Sequence, residues 1–208
     1  MRRAESNPRP LETAHIVTCL CVDFIGSTQF GLHLTSEQLD RFNTALVGQI
    51  KPHLDKLGLA ASLLKFAGDG WLVMSHEPSK VSALCCLAAV MASRFQEEMG
   101  QLTTIPQNSL PGLRLAICSG RDIPVHLPDG RSDWVGDSAR RAVRSAQWCA
   151  ANQVLIDQSV RDLSPSINRI PAFVHLFIGQ YTSLLISALL KKLPELSCLT
   201  EGRHLAVP

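Results

Sequence analysis

Asp23 and Asp69 are the residues of this chain best placed to do chemistry. Asp23 ends an apolar run and opens a turn containing Gly26, Ser27 and Thr28. Asp69 sits between two apolar runs in the string LLKFAGDGWLVM, with a glycine on either side. Each carboxylate therefore stands at the end of a predicted strand, in a loop with glycine near it. Hard oxygen ligands in such a pair suit Mg²⁺, which keeps substrate phosphates in its shell. A turn of small residues beside the metal offers backbone N–H groups to phosphate oxygens. Either aspartate alone reads as a capping or hairpin-turn residue. Together, with the small-residue turn, they point to phosphate chemistry with two metal ions.

The elements that must hold these side chains can be read from the apolar pattern. Residues 15–23 read as a buried strand. A helix starts at Ser36-Glu37 and runs to about residue 57, with Leu39, Phe42, Leu46 and Ile50 on one face. Residues 59–66 and 71–75 read as two strands joined in a hairpin around Asp69. A strongly apolar helix over 79–99 carries Leu84, Leu87, Val90 and Met91, and a polar, proline-containing loop follows over 100–112. Residues 113–119 form the next strand, a hairpin turns at Pro128-Asp129-Gly130, an arginine-bearing helix spans 137–150, and a short strand spans 152–157. Strand–helix–strand–strand–helix–strand is the order of a ferredoxin-like α+β sandwich.

At 208 residues with 46% hydrophobic content, the chain suits one compact domain and an extension. The divisions are an arm over 1–14, a domain over 15–163 and an apolar extension over 164–208. A net charge of +2 with no basic block gives no nucleic-acid surface. The seven cysteines lack metal-site spacing and read as buried free thiols of a reducing, cytoplasmic setting. The arm is polar, with no apolar core of a signal peptide. Residues 170–190 carry no charge and approach the ~20 residues that span a bilayer. His175, Gln180 and Thr182 favour a segment that closes the sheet or a dimer surface over a membrane contact.

Several strings in the right order resemble the class III nucleotide cyclases, the adenylyl and guanylyl cyclase family, over roughly residues 14–163. The resemblance implies that Asp23 and Asp69 ligate two Mg²⁺ or Mn²⁺ ions, with the Phe24 carbonyl completing one shell. It implies that Gly26, Ser27 and Thr28 offer N–H groups to the triphosphate. The string LRLAICSGR over 113–121 is similar to the family strand that ends in a Ser-Gly-Arg turn, which makes Arg121 the triphosphate-contacting arginine. Lys65 stands four residues before Asp69, and Asp133 three before Gly136, where adenylyl cyclases place their base-reading pair. A lysine that donates to a ring nitrogen and a carboxylate that accepts from an exocyclic amine suit adenine.

In the helix string GDSARRAVR, the family places an asparagine four residues after the glycine and a charge-stabilising arginine four further on. Arg144 falls on the arginine position; Arg140 replaces the asparagine. Both lie on one helical face and are suited to phosphate, whereas Arg141 reads as solvated. A second departure is the missing Leu-Lys-Gly string after Asp162. The resemblance implies a homodimer converting a nucleoside triphosphate, ATP by preference, to a 3′,5′-cyclic nucleotide and pyrophosphate. Two alternatives stand beside it. One is a UTP or CTP cyclase of the stand-alone antiphage type, working with a separate cyclic-nucleotide-responsive effector. The other is a silent regulatory domain.

Overall fold

The structure is a computed structural model that describes residues 13–60, 62–67 and 70–164. Asp69, most of the N-terminal arm and the 170–190 segment lie outside the described residues.

β1 (His15–Phe24) is followed by α1 (Ser27–Leu32) and α2 (Ser36–Lys56). The hairpin strands β2 (Leu63–Ala67) and β3 (Gly70–Ser75) lead into α3 (Val81–Leu102). β4 (Leu113–His126), β5 (Ser132–Gly136), α4 (Asp137–Ala146), β6 (Gln153–Ile156) and α5 (Gln158–Leu163) complete the order. The sheet runs β2-β3-β1-β4-β5, with β6 parallel to the first part of β4 and all other pairs antiparallel. This is the ferredoxin-like arrangement, extended by the β4–β5 hairpin and β6.

Period-two alternation splits β1 between two cores. Leu20, Val22 and Phe24 face α2 and α3, with Trp71, Val73, Leu115, Phe42, Leu87 and Phe95 in the same cluster. Val17, Cys19 and Cys21 face α4, with Leu72, Met74, Ala116, Cys118, Ala142 and Ala146. The six described cysteines are free thiols, five of them buried. Burial, helped by Asp23, pushes the Cys21 thiol up to about 12, so it stays protonated and inert.

Four expectations change. β2 begins at Leu63 rather than at 59, because Leu59 belongs to the end of α2. Gly58 takes φ 64°, and the Leu59 N–H returns 2.7 Å to the Leu54 carbonyl, burying Leu59 completely. On α2 the buried row starts at Phe42, and Leu39 stays exposed. Residues 119–121 form no turn: β4 runs on to His126 and pairs Arg121 with Ile16. The glycine there is needed for packing, since a Cβ at Gly120 would lie 2.7 Å from the Ser138 nitrogen. Finally, α1 and α5 are short helices that the sequence pattern does not reveal.

Gly136 makes the matching close approach from α4. A Cβ there would sit 2.4 Å from both the Arg121 carbonyl and Asp122 Oδ1. Gly136→Ala is expected to destabilise the chain by about 1–3 kcal/mol in urea unfolding, the range for overpacking. Gly31→Ala, where a Cβ meets nothing within 4 Å, is expected to stay within about 0.5 kcal/mol of wild type.

Candidate active site

The β1–β4 ladder sets Asp23 directly opposite Arg114. Arg114 Nη2 donates to Asp23 Oδ2 at 2.6 Å, and each side chain is about a quarter exposed, at 28% and 25%. Arg114 Nε is buried with no partner, and Asp23 Oδ1 accepts no hydrogen bond among the described residues. On the other side, a Cβ at Gly70 would stand 3.2 Å from Asp23 Cα, so β3 starts against the Asp23 backbone. Gly70 is the residue after Asp69 in the sequence.

Phe24 contributes its side chain to the core, with ring centroids 5.5 Å from Trp71 and Phe95 and 5.8 Å from Phe42. Its ring is therefore not a candidate ligand, which leaves the backbone carbonyl for that role. Gly26 takes φ 70° and hands the chain to α1. Asp23 Oδ1, with no hydrogen bond among the described residues, is an oxygen ligand of the kind that fits a hard ion such as Mg²⁺ or Mn²⁺. Among the described residues, no three His, Cys, Asp or Glu side chains gather as a ligand set.

Lys65 and Asp133 stand on the two end strands of the sheet path, β2 and β5. The sheet curls enough to bring them together: Lys65 Nζ lies 2.9 and 3.0 Å from the two Asp133 oxygens. Asp133 also accepts from the Trp134 N–H at 2.7 Å.

α4 is fixed from two sides. At its start, the buried Asp122 of β4 accepts the Ser138 N–H at 3.0 Å and the Ser138 hydroxyl. Further along, Arg141 is tied into the fold although its side chain is part-exposed. It donates to both Asp157 oxygens at 2.7 Å and to the Ser119 carbonyl at 3.0 Å. Burial alone raises the Asp157 carboxyl, but hydrogen bonds from Ser159 and Arg141 together outweigh it and hold the group below its ordinary value. The sequence hid this pair because Asp157 caps α5 from a different element.

Ser138, Ala142 and Ala146 turn toward the sheet. Residues two positions from Ala142 project the opposite way, so Arg140 and Arg144 point outward. Arg140 pairs with Asp137, and Arg144 has no hydrogen bond or ion pair among the described residues. Trp148, a turn beyond Arg144, is 84% exposed. Arg121 is exposed, seven residues along β1 from Asp23 by its pairing with Ile16. That is about 23 Å away at strand rise, on the other face of the sheet. The arginine beside Asp23 in its own chain is Arg114. The sequence pattern offered one signal for it, a charge inside an apolar strand.

Solved structures share this fold. The adenylyl cyclase CyaB from P. aeruginosa superposes with a TM-score of 0.62 at 21% identity, over 76% of this chain and 83% of that one. The guanylate cyclase domain of RhGC from Catenaria anguillulae, in complex with GTP, gives 0.59 at 16% identity, over 72% and 81%. A non-canonical dimeric guanylyl cyclase domain of the RhoGC fusion protein from Blastocladiella emersonii gives 0.59 at 16% identity, over 74% and 84%. No protein-family model matches the sequence, and no curated protein matches it. The chain has the fold of the class III nucleotide cyclase catalytic domains.

The Arg141–Asp157 pair has a pH signature. A carboxyl held low in the folded state contributes stability that is complete above its unfolded pKa, about 3.9, and is lost as pH falls through the lower folded value. The stability gap between wild type and Asp157→Asn, from urea unfolding, is expected to be widest near neutral pH and to narrow below about pH 4.

Proposed function

We propose that this chain is a nucleotide cyclase that converts a nucleoside triphosphate, ATP by preference, to its 3′,5′-cyclic form and pyrophosphate. The observation that carries the reading is the Lys65–Asp133 ion pair, which joins the two ends of the sheet on the cyclase fold. Lys65 would donate to a ring nitrogen of adenine, and Asp133 would accept from its amino group.

Asp23, the Phe24 carbonyl and Asp69 would hold two Mg²⁺ or Mn²⁺ ions, which supply charge neutralisation on the phosphates and acidify the ribose 3′-hydroxyl. The N–H groups of Gly26, Ser27 and Thr28 would meet phosphate oxygens. Arg114, rather than Arg121, lies beside Asp23 and would meet the triphosphate through the part of its guanidinium that is exposed. The bond from O3′ to the α-phosphorus forms as the bond to pyrophosphate breaks, and Arg144 stabilises the charge on the transferring group. Arg140, held by Asp137, stands where the family resemblance places an asparagine and would add a second guanidinium beside Arg144. Arg144 points off its own sheet, so the Asp23 it serves belongs to a second copy, and the working unit is a homodimer.

The test is to incubate the protein with Mn²⁺ or Mg²⁺ and each of ATP, GTP, CTP and UTP, and to identify products by mass spectrometry. Cyclic AMP is the expected dominant product. A cyclic pyrimidine would overturn the adenine assignment, and no cyclic product from any of the four would overturn the enzyme. Arg144→Ala is expected to lower kcat by about 10²–10³-fold, the cost of removing one preorganised charge-stabilising donor.

A further inference from the structure

Arg114 and Arg141 each pair with a part-buried aspartate, and they are held in different ways. Arg141 donates to both Asp157 oxygens and to the Ser119 carbonyl, which leaves its head group no freedom. Arg114 has a single acceptor among the described residues. Its Nη2 meets Asp23 Oδ2 at 2.6 Å, and its buried Nε finds no partner. The Arg114 backbone is fixed, because the β1–β4 ladder sets it directly opposite Asp23. Its side chain is 28% exposed, so a ligand anion can reach a guanidinium that the protein holds by one bond.

The same bond serves Asp23. Its side chain is 25% exposed, and a carboxylate that far out of water is costly unless a cation stands beside it. Arg114 supplies that cation from within the chain. A divalent ion at Asp23 would supply the same charge and be repelled by the guanidinium, because like charges a few ångströms apart repel strongly in a part-buried site. The ion and Arg114 therefore compete for one carboxylate. A triphosphate resolves the competition, since its oxygens are good acceptors for a guanidinium that has given up Asp23.

We propose that Arg114 is an exchange residue: it neutralises Asp23 until a divalent cation takes that carboxylate, and then turns its guanidinium to the triphosphate. The proposal rests on the reading of Asp23 as a metal ligand and of Arg114 as a triphosphate contact. Its consequence is a coupling, because each ligand removes what opposes the other. The cation frees Arg114 for phosphate, and phosphate draws Arg114 away from the carboxylate the cation needs. By linkage the factor is the same in both directions. The site thereby favours a cation and a triphosphate together over either alone.

The experiment uses the full chain and two probes, Mn²⁺ alone and inorganic tripolyphosphate alone. Mn²⁺ affinity is read from the paramagnetic resonance of the free ion for wild type, Arg114→Met, Arg114→Lys and Arg131→Met. The last removes an exposed arginine that pairs with Asp129 in the β4–β5 turn. Arg114→Met is expected to bind Mn²⁺ on the order of tenfold more tightly than wild type, within the range of coupled sites. Arg114→Lys, which keeps the charge, and Arg131→Met are expected to match wild type. Tripolyphosphate affinity is read by calorimetry without divalent ions. Asp23→Asn, which keeps the shape and removes the charge, is expected to bind it on the order of tenfold more tightly, and the gain is expected to vanish when Arg114→Met is added. An Arg114→Met chain that binds Mn²⁺ like wild type overturns the exchange, and so does an Asp23→Asn gain that survives the loss of Arg114. If urea unfolding finds Arg114→Met unfolded, Asp23→Asn decides alone: a gain supports the exchange, and no gain overturns it. A chain that forms cyclic product without either effect keeps the cyclase reading and loses the exchange. A chain that shows both effects and cyclises no nucleotide keeps the exchange and loses the cyclase reading.

Discussion

The ladder between β1 and β4 is the constraint on which the rest depends. Its ten consecutive pairs run from His15↔Asp122 to Phe24↔Leu113. One end puts Arg114 opposite Asp23, and the other puts Asp122 where it can cap the start of α4. A slip of one residue would turn the alternating side chains to the wrong core. Arg114 would lose Asp23, and the buried Asp122 would lose the Ser138 donors that satisfy it. Gly120 and Gly136 protect this register from the other side, because only glycine lets the β4 backbone and the start of α4 approach so closely.

α4 divides its three arginines by direction. Arg141 points back and is held by Asp157 and the Ser119 carbonyl, which ties the helix to β4 and to the start of α5. Arg144 points out with no partner among the described residues, and Arg140 beside it is held only by a neighbour on its own helix. A side chain meant for a ligand must be free of internal partners yet fixed at its backbone, and preorganisation of that kind is what makes a charged donor effective in a transition state. The Lys65–Asp133 pair is the opposite case: both charges are already satisfied, so a base entering there exchanges one set of hydrogen bonds for another.

Much of the fold was legible because long apolar stretches with a single period leave little choice. β1, α2, α3 and the β2–β3 hairpin came from that signal. What escaped had local or distant causes. The six-residue helices α1 and α5 are too short to show a period. Leu59 looked like a strand start because a helix-ending plug is also apolar. At the site, the Lys65–Asp133 association was visible as two matches at family offsets. The Arg114–Asp23 and Arg141–Asp157 pairs were not, since each joins residues whose proximity follows only from strand register or from helix docking. Arg121 drew attention through a Ser-Gly-Arg string that the structure shows as continuous strand.

The central claim is that two copies share one cyclising site, with Asp23 from one and Arg144 from the other. Mixing two inactive variants, Asp23→Ala and Arg144→Ala, and measuring cyclic nucleotide formation tests it most directly. Half of the dimers in an equal mixture are mixed, and each mixed dimer holds one site with both residues intact. The account predicts recovery to roughly a quarter of wild-type activity in the mixture, with neither variant active alone. A mixture as inactive as its components, although mixed dimers form, would contradict it.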